Sequence, residues 1–61
     1  MPQNLIQEID QAIKAEKDLV GSYQKMLKIS PNTKIKTIIH DLIIMEEMNE
    51  VLLRSLNQHL N

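Results

Sequence analysis

Cysteine, tryptophan and phenylalanine are absent from this chain; glycine occurs once and proline twice. Without cysteine, neither a disulfide nor a thiolate metal site can staple a chain of 61 residues, a length near the lower limit for independent folding. That absence also fits a reducing, cytoplasmic setting. Tyr23 is the sole aromatic residue, so no platform exists for stacking bases. Seven basic against eight acidic residues leave no cationic stripe for nucleic acid. The longest apolar run, residues 42–45, is far too short to span a bilayer, and the polar stretch 1–10 does not form a secretory signal. No nucleophile–base pair, phosphate loop or zinc motif is present, so no catalytic residue is assigned. The expectation is a soluble, cytoplasmic protein of one domain, residues 1–61, with no membrane or nucleic-acid partner.

What is abundant is aliphatic. Apolar residues make up 43% of the chain, and with aromatics so scarce isoleucine, leucine and methionine must do the packing, as in a helical bundle. Ile9, Ile13, Glu16, Val20, Tyr23 and Leu27 recur at alternating three- and four-residue steps, the period of one helix face. Asn4 is a candidate N-cap with Gln7 three residues on, which starts a first helix at about residue 5 and runs it to about 28. Gly21 falls inside it, away from Glu16, where it either admits a neighbouring helix or is tolerated as an exposed glycine. Ser30-Pro31-Asn32-Thr33 is the only clear break: Pro31 forces Ser30 out of helical dihedrals, and Asn32 or Thr33 can cap a second helix. A turn at about 29–32 this short makes that second helix, about 33–58, an antiparallel neighbour of the first. No internal repeat or low-complexity tract is evident.

The second helix is apolar almost all round. Ile38, Met45, Leu52 and Leu56 form one stripe, Ile35, Ile39, Leu42, Leu53 and Leu60 another, and Ile43, Ile44 and Val51 spread onto the remaining side. One partner helix cannot cover such a surface. The expected fold class is therefore all-α, an antiparallel αα-hairpin that dimerises into a four-helix bundle.

Two glutamates interrupt these seams. Taking about 100° per residue, Glu16 lies within roughly 60° of Leu5, Ile9, Ala12, Val20 and Leu27. Glu46 centres the stripe of Ile35, Ile39, Leu42 and Leu53 in the same way, with Asn49 and Glu50 one turn on. Counting outward from the turn, Glu16 and Glu46 come level, and a two-fold dimer brings two copies of each to its centre. Four carboxylates cannot share a dry core as anions, because like charges at that range repel strongly; hard metal ions are the natural counter-charge. Pairing with a basic side chain, or protonation, is the alternative for each glutamate.

At this point the sequence resembles the ferritin-like di-iron carboxylate proteins, in particular the rubrerythrin-like and two-helix encapsulated ferritins. Glu16 with Tyr23 seven residues on, the short turn, and Glu46-Glu47 followed by a third-residue ligand slot carry the resemblance, which covers about residues 12–56. It implies Glu16 as the single-helix ligand and Glu46 as the residue opening a Glu-x-x-His motif. It also implies Tyr23 close to the site with its hydroxyl toward Glu46, and iron as the cofactor, with manganese the substitute. Where that family has histidine this chain has Asn49; Glu50 beside it can serve, or Glu47 with Glu50 can form another register. With Asn49 in that slot, metal binding is the firmer expectation and oxidation of Fe(II) the lesser one. The third helix and targeting tail of the encapsulated type have no counterpart in this sequence, so ring assembly and cargo targeting are not expected.

Two readings of other classes compete. One is a metal-free dimerisation module in which Glu16, Glu46 and Asn49 form a buried polar network. The other is an adaptor whose second helix receives a helix from a different protein. His40, about two turns from Glu46 and on a different side, reads as a surface residue or one that supports the site from behind, and His59, near the helix end, carries no weight.

Overall fold

The computed structural model describes residues 3–60. It holds two α-helices, α1 (Gln3–Lys28) and α2 (Thr33–Leu60), packed side by side as an antiparallel hairpin. α1 begins two residues before the expected start, which places Asn4 inside the first turn rather than at its cap. Gln3 is the better helix former of the two, which favours a helix that runs through both residues. α2 also continues to Leu60, past the expected end near 58, because no glycine or proline interrupts residues 33–60 and Leu60 keeps the seam's period.

The turn forms as its residues dictate. The Ile29 and Ser30 amides donate to the Met26 and Leu27 carbonyls, tightening the last turn of α1, and the Ser30 hydroxyl donates to the Met26 carbonyl at 2.7 Å. Lys25 and Lys28 sit in that last turn, where cations offset the helix dipole. Asn32 is the cap of α2: its Oδ1 accepts the Ile35 amide at 3.0 Å while its own carbonyl accepts the Lys36 amide.

Only Ile9, Ile13, Ile39 and Ile43 are buried among the described residues. They belong to a pattern not evident from the residue types: the succession of buried, half-buried and exposed positions over 9–20 recurs over 39–50. The same offset carries Ile9 onto Ile39, Ile13 onto Ile43 and Glu16 onto Glu46. The hairpin thus has an internal approximate two-fold axis, and Glu16 and Glu46, both half-buried, straddle it at mid-length. Two helices in one layer give Cα extents of 47 × 14 × 9 Å, one helix thick. No described helix is long and apolar enough to cross a membrane.

Candidate functional site

The seam positions Glu16 because its neighbours on the same face, Ile9, Ile13, Val20 and Tyr23, are held against α2. One of its oxygens, Oε2, is buried and has no hydrogen-bond partner. A buried polar oxygen without a donor costs about 1–3 kcal/mol, and more when ionised. Beside it runs a groove of about 340 Å³ lined by Ala12, Glu16, Asn49, Leu52, Leu53 and Leu56. Its walls are apolar except for the Glu16 carboxylate and the Asn49 amide. Glu46 is half-buried on the facing seam, level with Glu16 by the rise of the two helices.

Asn49 and Glu50 part company. Asn49 lines the groove as an exposed residue, whereas Glu50 is half-buried in the seam and accepts a hydrogen bond from Arg54 Nε at 3.0 Å, an i,i+4 ion pair. Glu47 is exposed, at about 100° from Glu46 around α2 and therefore away from the seam. Tyr23 is half-buried on the seam, but its hydroxyl makes no hydrogen bond to Glu46 among the described residues. His40 and His59 are exposed.

Among the described residues no three histidine, aspartate or glutamate side chains gather closely enough to hold a metal ion. Among the described residues the seam offers Glu16, Glu46 and Glu50 at mid-length with Asn49 on the groove side, all oxygen ligands, and Glu50 is engaged by Arg54. The residue missed from sequence is Asn57, whose Oδ1 is also buried without a partner near the open end of the hairpin. Its spacing is the signal: Glu46, Glu50, Leu53 and Asn57 continue one seam at four- and three-residue steps. Comparison with protein-family models, with curated proteins and with solved structures finds no match to this chain.

Proposed function

We propose that the chain is one half of a ferritin-like four-helix bundle, a homodimer in which the paired Glu16 and Glu46 carboxylates form a metal site, with iron its first occupant and manganese the substitute. The orphaned Oε2 of Glu16 carries this reading: a carboxylate oxygen withdrawn from water, with no donor in its own chain, is matched by a cation. The donor set fits a hard divalent ion, since carboxylate and amide oxygens suit such ions and no thiolate competes. Glu16 and Glu46 would hold the ion from the two helices, with Asn49 adding its amide oxygen through the groove. Bound iron would supply one-electron chemistry toward oxygen; the protein's part is to exclude bulk water and keep the carboxylates level. Glu50 is not assigned as a ligand here, because Arg54 already neutralises it.

A metal-free dimerisation module is the second reading. The Glu50–Arg54 pair and the lack of a three-residue acid or histidine cluster among the described residues favour it. Elemental analysis of protein purified without chelator separates the two. Iron or manganese should accompany the wild type and be lost from Glu16→Ala, and anaerobic Fe(II) should raise the wild-type melting temperature alone. A dimer with neither bound metal nor thermal shift would establish the second reading in place of the first.

A further inference from the structure

The two broad faces of the hairpin are chemically opposite. On one, the groove beside Glu16 opens between Ala12 and Leu52, and the side chains around it are apolar: Leu19 and Met26 from α1, Ile38, Met45 and Leu56 from α2, each more than a third exposed. By the 100° wheel they lie on the same side of the α1–α2 seam as Asn49. The other face carries Asp10 and Lys17 from α1 with Lys36, Glu47 and Arg54 from α2, Arg54 reaching back to Glu50 in the seam. A third surface, the outer edge of α2, exposes Ile44, Met48 and Val51.

We infer that a second copy of this chain seats on the groove face, two-fold related, and on neither the charged face nor the Ile44-Met48-Val51 edge. This rests on the self-association in the proposed reading and is independent of the metal. Area supports a partner of this size: the chain exposes 4809 Å², whereas a folded monomer of 7.1 kDa is expected to expose about 4,100 Å². The excess, roughly 700 Å², is close to the ~800 Å² that each partner contributes to a standard interface. The groove face is also where an unsatisfied carboxylate lacks a second layer, and it runs along the 47 Å length of the hairpin. The α2 edge has only three large apolar residues, and it flanks like-charged Glu47 copies in a two-fold contact. A lipid surface finds no lysine cluster on the groove face, whose rim carries Glu8 and Asp41 against Lys34.

Sedimentation at micromolar concentration and cross-linking test this. The chain has no native cysteine, so single cysteines report cleanly. Met45 and Lys17 lie at the same level on opposite faces, near the two-fold axis. A short bismaleimide should join two copies of Met45→Cys and leave Lys17→Cys monomeric on a denaturing gel. Met45→Glu should weaken the dimer by about tenfold or more, while Val51→Glu leaves it intact. A wild-type dimer that cross-links through Lys17→Cys, or that Val51→Glu dissociates and Met45→Glu does not, overturns the face assignment and spares the self-association. A wild-type monomer overturns both, whether or not it binds anionic vesicles. Circular dichroism of each variant keeps loss of dimer distinct from loss of fold.

Discussion

Adjacent residues decide the chemistry of this hairpin. Asn49 and Glu50 are separated by one helix step, about 100° of rotation, and that step sends the amide to the exposed rim of the groove and leaves the carboxylate half-buried in the seam, paired with Arg54. Of the seam carboxylates, Glu16 is the one with a buried oxygen that no group among the described residues satisfies. Gly21 shows the opposite case, a residue whose position demands nothing. A Cβ added there meets no atom within 4 Å, and the backbone has no positive φ, so neither a close helix approach nor a special conformation requires glycine. Of the two readings of Gly21, simple tolerance at an open position is the one the geometry supports. Gly21→Ala should therefore stabilise the protein by about 1 kcal/mol, measured as a raised urea midpoint with an unchanged slope.

At the scale of the element, the two helices are built for different surroundings. α1 alternates a narrow seam with a solvated back, while α2 keeps apolar residues on nearly every side. Both extents are readable to within about two residues from the break at Pro31 and the three- and four-residue period. The start of α1 is not, because Asn4 is a good cap by composition yet the helix already runs through Gln3, the better helix former. For the cap of α2 the sequence leaves Asn32 and Thr33 open, and the geometry selects Asn32. Asn32→Ala removes the acceptor for the Ile35 amide and should cost about 1 kcal/mol; Asn32→Asp should retain most of it. Thermal unfolding followed by circular dichroism would show the difference between the two variants.

For the whole molecule the governing fact is thinness. Four buried isoleucines are a small core for 61 residues, and a single layer one helix thick leaves large apolar side chains in water. In the proposed dimer a second layer supplied by another copy would link folding to association. The melting temperature should then rise with protein concentration, several degrees between about 1 and 100 μM, and scanning calorimetry at both concentrations checks it. A concentration-independent melting temperature would place the full stability within one hairpin.

By itself the sequence determined two long helices, their break, an antiparallel pairing, and glutamates level at mid-length. Each follows from periodicity and counting along a regular rise. It did not decide which flank of each seam faces a common groove, since period fixes a residue's angle about its own helix and says nothing of where the neighbouring axis lies. The internal two-fold pattern was hidden for the same reason: only three residue identities carry it, and burial, a property of the pair, reveals the rest. Packing one helix on the other put Glu50 in the seam and Asn49 on the groove rim, and left Glu16 facing a groove that the described residues do not close.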